Sequence, residues 1–167
     1  MLYLLDANVI ITAKDSYYAI DQVPEFWAWL VHQGLHGIIK MPRETFEEVS
    51  AGGNKDDDFY KWRKDRATTA ALLLDEEVDA EKVRRVLEYG YAPDLTDAEI
   101  LGIGADPFLV SYAVGNTERT VVTVEASAPS KQRGNRKLPD VCKKLDVRAI
   151  NTFQMTRTLG FRTNWNP

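Results

Sequence analysis

The chain has 167 residues, 44% of them hydrophobic, which is enough for one core of ordinary size and too few for two. We therefore expect a single domain that spans residues 1–167. No apolar run reaches the length of about 20 residues that a membrane-spanning helix needs, and the start MLYLLDAN lacks a basic leader and a small-residue cleavage site. These features favour a cytoplasmic protein without a membrane partner, and the single cysteine excludes an internal disulfide.

The net charge of −4 is unevenly distributed along the chain. Residues 131–167 carry nine Lys or Arg against two Asp, whereas the preceding residues carry twelve basic against twenty-three acidic side chains. One interpretation is an acidic site beside a basic surface that guides a polyanion. The other is a solvated basic loop at KQRGNRK, and composition does not decide between them.

Hydrophobic spacing and turn residues predict alternating strands and helices. In chain order they are a strand at YLL, a helix at residues 24–33 with Pro24 in its first turn, a strand at HGIIKM, a helix at residues 42–53 between Pro42 and Gly52–Gly53, charged helices at residues 56–66 and 79–91, a helix at TDAEILGIG with a Thr96–Glu99 capping box, a helix at ADPFLVSYAVGN, a strand at RTVVTVE, a short helix at LPDVCKKL, a strand at VRAI and a helix at NTFQMTRTLG that ends at Gly160. Strands separated by helices indicate an α/β fold whose parallel sheet is covered on both faces.

Several acidic residues fall at strand exits or helix starts of this predicted fold. Asp6 follows the first strand, Asp106 precedes Pro107 as a predicted N-cap, and Glu125 follows VVTV. Glu47 and Glu48 lie on the helix after the second strand, and the helical wheel favours Glu48 because it falls nearer Met41. In open α/β sheets the ligand crevice lies outside the carboxyl ends of the strands.

Clustered carboxylates repel one another unless a cation lies among them, and hard divalent cations prefer oxygen ligands. Acids without His or Cys ligands therefore point to Mg²⁺ or Mn²⁺, as one or two ions, and to phosphate chemistry. Each acid also has a structural explanation: Asp6 can cap a turn, Asp106 can cap its helix, and Glu125 can begin a polar loop. The capping box accounts for Glu99, which we leave out of the site.

The ordered set LLDANVI, EEV, GADPFLVSYA and VVTVE resembles the PIN-domain ribonucleases, the fold of VapC-type toxins, over nearly the whole chain. The segments FWAWL, TFEEV and LPDVCKKL resemble a small PIN subgroup often described only as domains of unknown function. The resemblance implies a PIN-like three-layer sandwich with a central, mostly parallel, twisted sheet of four to five strands and helices on both faces.

Carried over by position, the resemblance makes Asp6, Glu48, Asp106 and Glu125 the metal ligands and catalytic acids. Glu125 falls where many family members have aspartate, and this departure leaves a second metal position open. Three further residues are supporting candidates: Asn8 would hold the loop after the first acid, Thr123 would hydrogen-bond Asp6 or a water, and Asp140 would approach the crevice or cap its helix.

The implied activity is hydrolysis of RNA phosphodiester bonds by a metal-activated water. The basic side chains expected to hold the RNA backbone are Lys131, Arg133, Arg136 and Lys137. The resemblance also implies the toxin of a toxin–antitoxin pair, with a cognate antitoxin protein and a homodimer. None of these partners follows from composition or periodicity.

Two other functions remain open. A haloacid-dehalogenase-type phosphatase also uses an aspartate after strand one, but it requires a second acid two residues later, where this chain has Asn8. A catalytically inactive PIN-like fold that serves only as a binding module is the alternative from another class. The side chains Phe26, Trp27, Trp29 and Leu30 are expected to pack in part into the core. At least one of them is a candidate for a partner surface, because four large apolar residues within five positions do not fit one inward face.

Overall fold

The computed structural model describes residues 1–49 and 57–166. Within these ranges the strands are β1 (Leu2–Leu5), β2 (Ile39–Lys40), β3 (Arg119–Val122) and β4 (Arg148–Ile150). The α-helices are α1 (Ala7–Thr12), α2 (Pro24–Leu35), α3 (Arg43–Glu48), α4 (Asp58–Lys64), α5 (Arg66–Leu72), α6 (Ala80–Arg85), α7 (Asp97–Ile103), α8 (Asp106–Ser111), α9 (Leu138–Lys144) and α10 (Thr152–Thr158). Two π-helical segments, Ala13–Tyr17 and Val86–Tyr91, continue α1 and α6, and a 3₁₀ turn spans Arg133–Asn135.

The strands form one parallel sheet in the order β2-β1-β3-β4. β1 lies between β2 and β3, with Tyr3 opposite both Ile39 and Thr120. The predicted α/β fold, a parallel sheet of four strands flanked by helices, is therefore confirmed. No helix in the described ranges is long and apolar enough to cross a membrane.

Alternate residues of β1 enter two separate cores, one on each face of the sheet. Tyr3 and Leu5 pack into a core that also contains Phe26 and Trp29 of α2, whereas Leu4 packs into one that contains Leu109 and Val141. This alternation follows from the two-residue repeat of a strand. It explains why every described residue of β1 after Leu2 is buried.

The strand order reverses between β1 and β3. β1 is followed in sequence by β2 on one side, and the chain later returns to the other side of β1 as β3. Ligands of open α/β folds bind outside the carboxyl ends of the strands at such a switch point. Asp6 follows β1 and Thr123 follows β3, so the two strands at the reversal bring polar side chains to the same edge of the sheet. We call this edge, where the carboxyl ends of β1 and β3 lie, the rim.

The helix that begins at Asp106 differs from the prediction. Ala105 is the N-cap of α8, without a side-chain cap bond, and Asp106 is the first helical residue. Pro107 is therefore at the second helical position rather than the first. Because Asp106 does not cap the helix, its structural explanation is wrong and its carboxylate is available to the rim.

Two short helices, α1 and α5, form where none was predicted, and α3 is shorter than predicted. α1 begins directly after Asp6, where the resemblance implied a loop, and α5 forms from RATTAAL, whose apolar run lacks a clear helical period. Both begin at an Asp that accepts a bond from a backbone N–H of the first turn, a recognisable start signal. α3 ends at Glu48, and Gly52 and Gly53, predicted to end it, lie outside the described residues.

The prediction that one large side chain of FWAWL faces a partner is wrong. Phe26, Trp27, Trp29 and Leu30 are all at most 1% exposed. α2 is covered on more than one side: Phe26 stacks on Tyr18, and Trp27 contacts the rings of Phe59 and Trp62. The prediction assumed that a helix buries a single face, which fails when further elements pack around it.

Candidate functional site

Asp6 lies buried between β1 and α1, where two donors hold its carboxylate. The backbone N–H of Asn8 donates to Oδ1 at 3.2 Å, and Thr123 Oγ1 donates to Oδ2 at 2.8 Å. The residue is 3% exposed, and this burial raises the pKa of Asp6, with the charges of Glu125 and Glu48 adding to the rise. Asp6 caps α1 and faces the rim at the same time, so its structural and functional explanations are compatible.

Asp106 approaches the same rim from the start of α8. Tyr91, the last residue of the second π-helical segment, donates its hydroxyl to Asp106 Oδ2 at 3.2 Å. Burial, followed by the negative charges of Asp6 and Glu125, raises the pKa of Asp106 from 3.8 to about 7. Like charges that disfavour ionisation are the expected mark of carboxylates gathered without a cation.

Glu48 ends α3 and reaches the turn before α8. Its Oε1 accepts a bond from Ala105 N at 3.2 Å. Gly104 in that turn has a φ of 68°, and a Cβ on it would lie 3.2 Å from Glu48 Oε1. The turn therefore requires glycine for its backbone and for the close approach of the carboxylate.

Glu125 is held differently, because both of its oxygens have strong donors. Lys137 Nζ lies 2.7 Å from Oε1, and Leu138 N donates to Oε2 at 2.8 Å. Leu138 is the first residue of α9, so Glu125 satisfies a helix N-terminus that Lys137, the N-cap residue, leaves without a side-chain cap. Glu125 N also donates to Thr123 Oγ1 at 3.1 Å, which connects this acid to the Asp6 contact.

The four acids come from four separate segments, and the charges of Asp6, Glu125 and Glu48 all add to the rise in the pKa of Asp106. They do not form a ready cage: within residues 1–49 and 57–166 no group of three Asp, Glu, His or Cys side chains is arranged to hold a metal ion. Their chemistry still fits a hard cation, because all donors are oxygens and neither the buried Asp6 nor the half-buried Asp106 has an ion-pair partner in the described part of the chain. Mg²⁺ in particular uses one or two carboxylates and keeps several waters.

Of the supporting residues, Thr123 contacts Asp6 as one of the two options predicted. Asn8 contacts Asp6 through its backbone N–H, and its side chain is exposed. Asp140 neither joins the acids nor caps α9: it accepts bonds from Ser127 Oγ and from Ala128 N at 2.7 Å. These two bonds lower the pKa of Asp140 and fix the loop after Glu125.

The four predicted RNA-contacting residues divide into two pairs. Arg133 forms ion pairs with Glu99 at 2.9 Å and Asp94 at 2.7 Å, and Lys137 is bonded to Glu125. Both cations are thus committed to acids of the chain itself. Lys131 is exposed and lies with Arg136 in a surface groove lined by Pro129, Lys131, Gln132, Arg136, Asp140, Lys143 and Lys144.

Three features of the site were not predicted from the sequence: the Tyr91 contact, the Gly104 turn and the pairing of Lys137 with Glu125. Tyr91 lay within a predicted helix without any sign that its hydroxyl would reach another segment. Gly104 was visible in GIGAD but carried no indication of the Glu48 contact. Lys137 was assigned to the surface because the loop between it and Glu125 gave no clue that the two residues meet.

Comparison with known proteins identifies a family for this chain. The sequence profile described as "Domain of unknown function (DUF4411)" matches residues 3–163. No curated protein matches the chain, and no solved structure does. The matched region covers nearly the whole sequence and includes all four acids of the rim. The chain therefore belongs to the DUF4411 family.

Proposed function

We propose that this protein is a metal-dependent endoribonuclease that hydrolyses RNA phosphodiester bonds. The observation that carries the proposal is electrostatic: Asp6 follows a strand at the switch point of the sheet, and Asp6, Glu48 and Glu125 lie near enough to Asp106 for their charges to add to the rise in its pKa. Such a cluster is unfavourable unless it serves to bind a cation or a proton. The PIN-like motifs in the sequence supply the reaction class.

Asp6 and Asp106, with Glu48 beside them, would hold the Mg²⁺ or Mn²⁺ ion. A divalent cation at this rim would supply the positive charge that phosphodiester hydrolysis requires. Thr123 and the Asn8 N–H orient the Asp6 carboxylate, and Tyr91 orients that of Asp106. The chain's own contribution is thus to fix two carboxylates that no ion pair within residues 1–49 and 57–166 neutralises.

The groove beside α9 is suited to the RNA backbone. Lys131, Arg136, Lys143 and Lys144 line it, and Arg136 lowers the pKa of Lys144 in addition to the effect of burial. Cations that repel one another favour an anionic ligand. Arg136 also donates to Gly90 O, next to Tyr91, so the groove and the acidic rim share neighbouring residues.

The direct test is cleavage of a mixed-sequence RNA by purified protein with Mg²⁺ or Mn²⁺. We expect cleavage that stops with EDTA and falls at least about 100-fold in Asp106→Asn, since a lost charge-stabilising contact costs about that much. Asp97→Asn, which removes an exposed carboxylate from α7, should retain full activity. Cleavage by Asp106→Asn at the wild-type rate would refute the proposal.

The substrate groove is tested separately by RNA binding in EDTA. Lys143→Ala combined with Lys144→Ala should weaken binding and reduce its salt dependence, because two phosphate contacts are lost. Arg133→Gln should change binding less, since Arg133 is already paired with Glu99 and Asp94. Equal loss in both variants would contradict the groove assignment.

We further propose that the nuclease is the toxin of a toxin–antitoxin pair, acts in the cytoplasm and forms a homodimer. Induced expression of the wild type should then arrest bacterial growth, and expression of Asp106→Asn should not. Arrest by both variants, or by neither, would count against a toxin. Light scattering of the purified protein measures its mass in solution, which should be twice that of one chain.

A second candidate is a PIN-like RNA-binding module without catalysis. It is favoured by the lack of a closed group of metal ligands in the described ranges and by the capture of Glu125 by Lys137. RNA binding without cleavage under any divalent cation would support it.

A further inference from the structure

Among the four acids of the rim, Glu125 is the one that forms an ion pair within the described ranges. Its two oxygens are occupied by Lys137 Nζ at 2.7 Å and by Leu138 N at 2.8 Å. A carboxylate that is engaged at both oxygens and already has a positive partner is a poor ligand for a second cation. Asp6 is buried and Asp106 is half-buried, and neither carboxylate has an ion-pair partner among the described residues.

Lys137 is held firmly at this position. It is the N-cap residue of α9, Pro139 follows in the first turn, and Leu138, Val141 and Cys142 of the helix are fully buried. The Lys137 side chain as a whole is 41% exposed, but its ammonium contacts the carboxylate of Glu125, whose side chain is 26% exposed. The positive charge therefore belongs to the acidic rim: the hydrogen bond and the charge of Glu125, and then the charge of Asp106, raise the pKa of Lys137.

We propose that Lys137 occupies the role of a second cation in this site, so that the rim binds one divalent ion, through Asp6 and Asp106, rather than two. This inference rests on the proposed metal-dependent function. Glu125 and Lys137 then act as positioning residues. The Lys137 ammonium neutralises the Glu125 carboxylate, and Glu125 fixes the start of α9 through Leu138 N. It also removes Lys137 from the set of residues that bind RNA from the surface.

The longer side chain of Glu125 fits this role. An aspartate at this position would be shorter by one methylene, and the observed carboxylate reaches two donors thirteen and twelve residues further along the chain. Glu125, at a position where aspartate is usual in the resembled family, therefore has the length to contact both Lys137 and Leu138. Its charge is used within the protein.

Mn²⁺ binding to the intact chain, measured by electron paramagnetic resonance of the free ion, tests the proposal without any substrate. The wild type should bind one Mn²⁺ per chain. Lys137→Met should bind two, because Glu125 loses its cation and the rim gains one net negative charge. Lys82→Met removes an exposed lysine of α6 that contacts none of the four acids, and it should still bind one.

A charge-matched double variant separates neutralisation from ligation. Glu125→Gln combined with Lys137→Met removes both charges, so it should bind one Mn²⁺ with an affinity close to that of the wild type. If the double variant loses the ion, Glu125 is a ligand and the proposal is wrong. Two ions in the wild type, or one ion in folded Lys137→Met, would also overturn it.

The outcomes distinguish this inference from the function on which it rests. A wild type that binds no Mn²⁺ contradicts the metal-dependent nuclease itself, whereas a wrong stoichiometry contradicts only the role of Lys137. Circular dichroism of each variant establishes that it is folded. If Lys137→Met does not fold, Lys137→Gln, which keeps a polar end at this position, provides the same comparison.

Discussion

Replacing Asp106 by asparagine should change how the stability of the cation-free protein depends on pH. Burial and the charges of Asp6 and Glu125 raise the pKa of Asp106 from 3.8 to about 7. The folded chain therefore binds this proton more tightly than the unfolded chain does. The resulting stabilisation is fully present below pH 3.8 and is lost as the pH rises through about 7.

The size of the effect follows from the two pKa values. Between pH 5 and pH 8 the linkage amounts to on the order of 2–3 kcal/mol, as an upper bound for a single group. For a domain of this size each kcal/mol shifts the melting temperature by about 2–4 °C. From pH 5 to pH 8 in EDTA, the wild type should thus lose roughly 5–10 °C more than Asp106→Asn does.

Differential scanning calorimetry at several pH values in EDTA measures this difference. Asp97→Asn is the matched control, because it removes one exposed carboxylate from α7 and should follow the wild-type pH profile. Parallel profiles for the wild type and Asp106→Asn would refute the reasoning. They would mean that burial and the neighbouring carboxylates do not raise the pKa of Asp106 as the structure indicates.

Two further predictions concern packing and orientation. Gly34→Ala should lower the stability by about 1–3 kcal/mol in thermal unfolding, because its Cβ would lie 2.6 Å from the carbonyl oxygen of Ala71. Gly102→Ala, with open space around the new Cβ, should not be destabilising, and an equal loss in both would contradict the packing of α2 on α5. Thr123→Val should lower the stability by about 1–3 kcal/mol and slow RNA cleavage. Thr123→Ser should keep the wild-type stability and cleavage rate, because only the serine keeps the 2.8 Å bond to Asp6. Similar behaviour of the two Thr123 variants would show that this hydroxyl does not orient the carboxylate.

Much of the fold could be predicted because its signals are local. Short apolar strands at YLL and RTVV, and start signals such as the Thr96–Glu99 capping box, act within a few residues. The burial of all four large residues of FWAWL could not be predicted. It depends on Tyr18, Phe59 and other rings that come from distant parts of the chain.

The acids were easier to select than their contacts. Strand exits and helix starts indicated Asp6, Asp106 and Glu125 because parallel strands end at one edge of a sheet. The sequence could not show that Glu125 is bonded to Lys137, or that Arg133 is paired with Glu99. Such pairs depend on how a loop returns to the sheet, and no local pattern records that path.

Anomalous diffraction from crystals soaked in Mn²⁺ at neutral pH tests the central claim most directly. The account predicts one anomalous peak at the rim of the sheet, in contact with the carboxylates of Asp6 and Asp106, and no such peak in Asp106→Asn. A wild-type crystal without a peak beside these side chains at millimolar Mn²⁺ would contradict it.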